Sequence, residues 1–304
     1  MRRVATVIVN WNGKNDTLSC LASLRALKLH DITNEIIVVD NGSTDGSAER
    51  IQKKFSNVHL IKNADNLGFA GGCNMGVRYA LNIGVEHIWF LNNDTIVDPH
   101  ALVGLLNVLR EGQKGIAGSK IYFAPGREYH NDKYKESERG RIIWFAGGSI
   151  DWGNMYASHR GIDEVDRKQY DTPQETQYIT GCSMMVDRVV FETIGLFDER
   201  YFLYLEDLDF CLRAKRAGFS LWYAPLSVLW HMNAGSTGKP GHALHDYYFT
   251  RNRLLIGFSY APIRTRIALG REAMRFIIFG SSVKRKAVLD FAFRKFGNQY
   301  TWKT

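Results

Sequence analysis

Along the first hundred residues, short runs of β-branched and apolar residues alternate with segments whose apolar positions recur every third or fourth residue. VATVIV (4–9), EIIVVD (35–40), VHLI (58–61) and HIWFLN (87–92) are apolar on successive positions, the pattern of strands covered on both faces. Between them, Leu18, Leu21, Leu24 and Leu27 mark one face of a helix. The turn-rich NGSTDGS leads into a short helix through Phe55, a further helix is predicted over about 72–82, and Pro99 is placed to open another at its first turn. Four strands alternating with four helices predict an α/β fold with a mostly parallel sheet flanked by helices on both faces.

The second half loses that alternation. Residues 124–141, rich in charge and turn formers, read as a flexible loop. ITGCSMMV (179–186) reads as a strand, DRVVFETIG as a helix ending at Gly195, and EDLDFCLRAKRAG (206–218) as a helix with carboxylates at its positive end. SLWYAP and SVLWHM suggest two short strands, and HDYYFTRNRLLIGF a helix. Boundaries are expected near 115 and near 260, giving segments 1–115, 116–259 and a helical tail, 260–304.

Ligands of open parallel sheets bind outside the carboxyl ends of the strands. Three of those ends carry clustered polar residues: Asn10-Trp11-Asn12, Asp40-Asn41-Gly42-Ser43 and Asn92-Asn93-Asp94. A single such turn is ordinary chemistry for Asn and Asp; three on one edge point to a site.

Charge is distributed unevenly. The chain carries a formal net charge of +8, and residues 260–304 hold ten Lys/Arg against two acids, so the rest of the chain is balanced. In that tail Ile, Leu, Met and Phe lie among the basic residues, which suits an amphipathic helix on an anionic membrane; contact with a second subunit is the alternative. No nucleic-acid-binding motif accompanies the charge. The four cysteines have no metal-site or disulfide-framework spacing, which fits reduced thiols in a cytoplasmic protein. MRRVATVIVN has too short an apolar run and no cleavage site for a signal peptide, and no stretch reaches membrane-span length.

The ordered set VIVNWNG, VVDNGSTDGS, NLGFAGGCNMG, FLNNDT, TGCSMMVDR, FLYLEDLDFCLRAKRAG, WHMNAGST and YYFTRN resembles the family-two glycosyltransferases of the GT-A fold, in particular rhamnosyltransferase-like members that build O-antigens and related cell-surface polysaccharides. The resemblance covers roughly residues 3–258. It implies a nucleotide-sugar-binding first half, an acceptor-binding and catalytic second half, and transfer of rhamnose from dTDP-rhamnose or of a hexose from a UDP-sugar. The implied acceptor is a glycan or polyprenyl-diphosphate-linked saccharide at the cytoplasmic face of a membrane.

The resemblance also assigns residues. LNND stands where the family has its D-x-D metal motif, with Asn92 in the place of the first acid, leaving Asp94 as the best single ligand for Mg²⁺ or Mn²⁺ and Asn92 and Asn93 beside the phosphates. Asp40 and Asn41 fall in the base pocket, with Asn10 and Asn12 expected to line it; Asn66, Gly68 and Asn74 belong to the glycine-rich segment of the nucleotide-sugar pocket. Asp207 takes the position of the base that deprotonates the acceptor hydroxyl, with Glu206 orienting substrate hydroxyls. His231 stands at the family's histidine position, as a metal ligand or a diphosphate contact. Arg213 reads either as the ion-pair partner of Asp209 or as a phosphate contact, and Arg251 either as a diphosphate contact or as a core brace. Two other classes stay open: an inert sugar-nucleotide-binding scaffold, and a sugar-phosphate nucleotidyltransferase.

Overall fold

The computed structural model describes residues 2–109, 115–232 and 242–300. Its first half follows the hydrophobic pattern: β1 (Arg2–Asn10), α1 (Lys14–Leu24), β2 (Ile32–Asn41), α2 (Ser47–Lys54), β3 (His59–Asn63), α3 (Gly68–Asn82), β4 (His87–Leu91), β5 (Thr95–Val97) and α4 (Ala101–Val108). Strands β3, β2, β1 and β4 lie side by side and parallel. Right-handed crossovers put α1 and α2 on one face and α3 on the other, because the chain reverses direction across the sheet after β3. That reversal leaves a crevice between the ends of β1 and β4. Two boundaries differ from the pattern: α3 starts at Gly68, about a turn before the predicted position, and α4 starts at Ala101 with the Asp98 carboxylate accepting the His100 N–H at 2.8 Å.

The second half extends the same sheet. It contributes β6 (Gly115–Phe123), β7 (Ile143–Phe145), the hairpin β8 (Gly148–Asp151) and β9 (Tyr156–His159), then β10 (Gln174–Glu175) and β11 (Ser183–Asp187). Helices α5 (Arg188–Ile194) and α6 (Glu206–Arg216) precede β12 (Ser220–His231), and α7 (Ala243–Tyr260), α8 (Ile263–Phe279) and α9 (Ser282–Ala292) complete the chain. Antiparallel β11 is inserted between β4 and β6, so the ten-stranded sheet is continuous across both halves.

Two predictions are corrected here. SLWYAP and SVLWHM form one strand, β12, whose register against β6 shifts between Ala224 and Val228. Pro225 sits inside that irregularity, where its missing N–H costs no ladder bond. Residues 124–141 are pinned to the sheet: the Trp230 indole donates to the Gly140 carbonyl at 2.8 Å, the Gly140 N–H to the buried Glu128 carboxylate at 3.1 Å, and the Tyr134 hydroxyl to the Asp163 carbonyl at 2.8 Å. The part of WHMNAGST beyond Met232 lies outside the described residues. The basic tail folds back on α7, where the Tyr247 hydroxyl and the Lys286 ammonium both reach the buried Asp290 carboxylate at 2.5 and 2.6 Å. Among the described residues no helix is long and apolar enough to cross a membrane.

Helix α3 rides unusually close to the sheet. A Cβ on Gly76 would stand 2.3 Å from Val7 Cγ1, and one on Gly72 2.7 Å from Val9 Cγ1. Glycine in a helix interior ordinarily gives way to alanine with a gain in stability, but here the methyl has no room. We expect Gly76→Ala to lower stability by about 1–3 kcal/mol in urea unfolding, and the double variant with Val7→Ala to recover part of the loss. A stabilising Gly76→Ala would refute this packing.

Candidate active site

The polar strand ends form one connected edge. At the end of β1 the Asn10 amide is completely buried and donates to Asp40 Oδ1 (2.7 Å), Ser47 Oγ (2.8 Å) and Ser43 Oγ (3.0 Å). Its oxygen accepts from the Thr17 hydroxyl at 2.7 Å, and Thr17 Oγ1 in turn accepts from the Asn93 amide at 3.0 Å. Asn10 thus ties together the ends of β1 and β2, the first turn of α1 and the turn after β4. Asp40 also caps its own loop, accepting the Ser43 N–H at 3.2 Å. Asn12, exposed and left-handed (φ 50°), accepts the Thr44 N–H at 2.8 Å, and its neighbour Trp11 is 45% exposed.

The glycine-rich segment is fastened by a second amide cluster. Asn41 Nδ2 donates to the Gly68 carbonyl (2.8 Å) and to Asn66 Oδ1 (3.1 Å), while Asn66 Oδ1 accepts the Gly68 N–H at 2.8 Å. Asn74 lies deeper in α3, where it donates to the Phe197 carbonyl and accepts the Phe197 N–H at 2.9 and 3.0 Å. That is a latch between α3 and the segment before α6.

Asp94 and His231 meet because β5 pairs antiparallel with β12, setting Thr95 opposite His231. His231 Nε2 lies 3.1 Å from Asp94 Oδ1, both side chains are buried, and the Asp94 carbonyl accepts the Met232 N–H at 2.8 Å. Among the described residues His231 Nδ1 has no hydrogen-bond partner, and the Trp144 ring packs edge-on at 4.7 Å. A carboxylate and an imidazole brought side by side are a chemically suitable pair for Mn²⁺ or Mg²⁺. Among the described residues no third His, Cys, Asp or Glu joins them, as suits a metal whose other positions belong to phosphates and water.

Helix α6 delivers Glu206 and Asp207, and its approach is strained. Phe202, Tyr204 and Leu205 have φ of 63°, 68° and 68°, a region that bulky side chains avoid at a cost of about 1–2 kcal/mol each. Asn252 of α7 offsets it: its buried amide points at the carbonyls of Tyr201 (2.9 Å), Leu203 (2.8 Å) and Tyr204 (2.8 Å). The Phe202 carbonyl accepts the Phe69 N–H at 2.7 Å, which binds the glycine-rich segment to the same turn.

The two carboxyls that emerge are unlike. Asp207 accepts the Gly181 N–H on Oδ2 and the Leu208 N–H on Oδ1, each at 2.8 Å. Glu206 is buried, and its Oε2 has no hydrogen-bond partner among the described residues. Burial first, and the neighbouring Asp207 charge second, push the Glu206 carboxyl up to about 8. Burial raises Asp207 as well, but main-chain N–H groups work against it. Burial thus favours the protonated form of both carboxyls, while the two main-chain N–H groups favour charge on Asp207 over Glu206.

Both arginines take the bracing role that the sequence left open. Arg213 reaches Asp209 Oδ2 and the carbonyls of Ile194 and Leu196, each at 2.8 Å. Arg251 is fully buried and donates to the carbonyls of Gly297, Arg200 and Tyr201 and to Asn252 Oδ1. Contact with a diphosphate would require those donors to be released. Sequence reasoning passed over Asn252 and Gly181, although both lie inside quoted motifs, YYFTRN and TGCSMMVDR; what they do depends on main chain far away in sequence.

The model of the family described as glycosyl transferase family 2 matches residues 6–195. Among curated relatives, a low-salt glycan biosynthesis hexosyltransferase of Haloferax volcanii is 24% identical over 83% of this chain and 74% of its own. An N-acetylglucosaminyl-diphospho-decaprenol L-rhamnosyltransferase of Mycobacterium tuberculosis is 27% identical over 82% of this chain and 85% of its own. Among solved structures, GalNAc-T7 with UDP, GalNAc and Mn²⁺ shares the fold, with a TM-score of 0.60 and 15% identity over 97% of this chain and 57% of that one.

The protonation asymmetry has a measurable consequence without any substrate. Folding raises the Glu206 pKa from an ordinary 4.5 to about 8, so the folded chain keeps a proton that the unfolded chain releases. Stability is then lost as pH climbs through that interval. Glu206→Gln cannot ionise, so its urea midpoint should rise relative to wild type between about pH 5 and about pH 8. Parallel midpoints across the range would mean that Glu206 is ionised in the folded chain.

Proposed function

The chain belongs to glycosyl transferase family 2, and from that membership we propose that it is a metal-dependent, inverting sugar transferase using a nucleoside-diphosphate sugar. The donor is dTDP-rhamnose or a UDP-hexose, and the acceptor a hydroxyl of a glycan or of a saccharide on a polyprenyl diphosphate, in cell-surface polysaccharide synthesis. A rhamnosyltransferase acting on a decaprenyl-linked sugar and a hexosyltransferase of glycan biosynthesis among the relatives support that choice. A lipid-linked acceptor would station the enzyme at the cytoplasmic face of a membrane, with the basic tail toward it. A homo-oligomer is compatible with the same tail.

The observation that carries the reading is the Asp207 carboxyl group, fixed by two main-chain N–H groups beside Glu206, whose carboxyl burial pushes up to about 8. A sugar hydroxyl becomes an effective nucleophile only as a base removes its proton. In the proposed step Asp207 takes that proton while the acceptor oxygen bonds to the anomeric carbon. The bond from that carbon to the diphosphate oxygen breaks, its electron pair leaving with the nucleotide, and the configuration inverts. Glu206, carrying its proton, donates a hydrogen bond to a substrate oxygen. Asp94 and His231 would hold Mg²⁺ or Mn²⁺, which when bound neutralises charge on the departing diphosphate. Asp40, Asn12 and the main chain of the Asn41–Ser43 turn would receive the base and ribose, with Asn92 and Asn93 at the phosphates. Asn10, Asn41, Asn66, Gly68 and Asn74 shape that pocket by holding its walls.

Asp207→Asn should lower kcat by about 10²–10⁴-fold and leave nucleotide binding intact, while Asp94→Ala should abolish the Mn²⁺-dependent part of the thermal shift given by dTDP or UDP. A ligand at about 100 times its Kd adds about 2.7 kcal/mol, well within reach of a melting experiment. Near-normal turnover by Asp207→Asn would remove it as the base. A metal-dependent shift that survives in Asp94→Ala would remove the metal assignment.

A further inference from the structure

Helix α8 shows solvent a face that its own fold leaves uncovered. Ile263 is 69% exposed, Ile267 50%, Met274 58% and Ile278 58%, and Phe279 at the end of the helix is 79% exposed. At about 100° per residue, those four aliphatic side chains fall within an arc of about 60°. Arg264, Arg271 and Arg275, all exposed, occupy the adjoining arc of about 40°. The opposite side faces the protein: Leu269 packs over Gly257 of α7, and the Thr265 hydroxyl donates to the Trp152 carbonyl at 2.9 Å. The one acid of α8, Glu272, is turned inward, taking the Arg253 guanidinium at 2.8 and 3.0 Å. The outward face therefore combines an apolar stripe with a basic border and carries no acid.

We infer that this face of α8 lies along an anionic lipid bilayer. The aliphatic stripe enters the interface between headgroups and acyl chains, and the three arginines meet lipid phosphates. Charge selects lipid over a second copy of the chain: a two-fold pairing of α8 would set the same basic border against itself, and the face holds no acid to neutralise it. The inference fits the lipid-linked acceptor proposed above, but its test does not depend on that reading.

Co-sedimentation with phosphatidylglycerol–phosphatidylcholine vesicles and with pure phosphatidylcholine vesicles tests it. The wild-type chain should partition to the anionic vesicles at least tenfold more strongly, and the preference should fall with salt. Ile267→Glu/Ile278→Glu and Arg271→Glu/Arg275→Glu should each lose most of that binding. Both pairs point outward, so circular dichroism and the dTDP or UDP thermal shift should stay at wild-type values, which separates failure here from failure of the active-site reading. Equal binding to both vesicle types, no binding to either, or variants that bind as well as wild type would overturn the inference. So would a wild-type dimer in light scattering that Ile267→Glu/Ile278→Glu dissolves, since the occupant would then be a second copy.

Discussion

One side-chain amide holds together the bend that leads into α6. Asn252 lies in the middle of α7 and turns its nitrogen toward three carbonyls of a four-residue stretch, Tyr201, Leu203 and Tyr204. An amide has two N–H groups, so three carbonyls crowd two protons. Only main chain that is bent back on itself can present them so closely. The bend is the left-handed run through Phe202, Tyr204 and Leu205. Strain of a few kcal/mol is tolerable because buried carbonyls left unpaired would cost about as much each. Arg251 then becomes intelligible as Asn252's own support: its Nε donates to Asn252 Oδ1 at 3.0 Å and so settles which end of the amide faces the bend.

The bend decides where charge can reside. It ends with α6 beginning at Glu206, so Glu206 and Asp207 occupy the first turn, where the helix favours negative charge. For Glu206, desolvation outweighs that field, and the carboxyl stays protonated at neutral pH. Asp207 meets the same field but also finds the Gly181 and Leu208 N–H groups, which only an anion uses fully. The two adjacent carboxyls thus meet different influences, and in the proposed step Glu206 is the hydrogen-bond donor and Asp207 the base.

What the sequence could convey follows from how local each cause is. The parallel strands were legible because burial on both faces demands runs of β-branched residues, and the polar strand ends because Asn and Asp clusters interrupt those runs abruptly. β12 was misread as two strands: Pro225 is a local stop signal, and only the partner strand shows that the register slips around it. Residues 124–141 looked flexible by composition, yet Trp230 and Glu128, invisible to a local reading, hold them. The arginines mark the same limit. Arg251 has the composition of a phosphate contact, and its burial against the carbonyls of residues 200, 201 and 297 is a property of the packed molecule alone. Asn252, flanked by Arg251 and Arg253, looks locally like any polar helix position, and only the packed molecule shows that it is buried against the carbonyls of residues 201, 203 and 204.

The inserted strand β11 explains how the two chemical centres keep their spacing. Its antiparallel pairing with β4 brings Ser183 opposite Leu91, so the residues before it run past the turn after β4. The Cys182 carbonyl accepts the Asn92 N–H at 2.9 Å, two residues from Asp94, while the Gly181 N–H binds Asp207 at 2.8 Å. Adjacent residues of one main chain therefore link the side that would grip the diphosphate to the side that would take the acceptor proton. No loop intervenes. A side chain at position 181 would also intrude, since a Cβ there would lie 3.1 Å from the Phe69 ring and 3.5 Å from Asp207 Cβ. Preorganised groups of this kind need not reorganise as charge moves, and the two main-chain groups that bind the centres belong to neighbouring residues, Gly181 and Cys182.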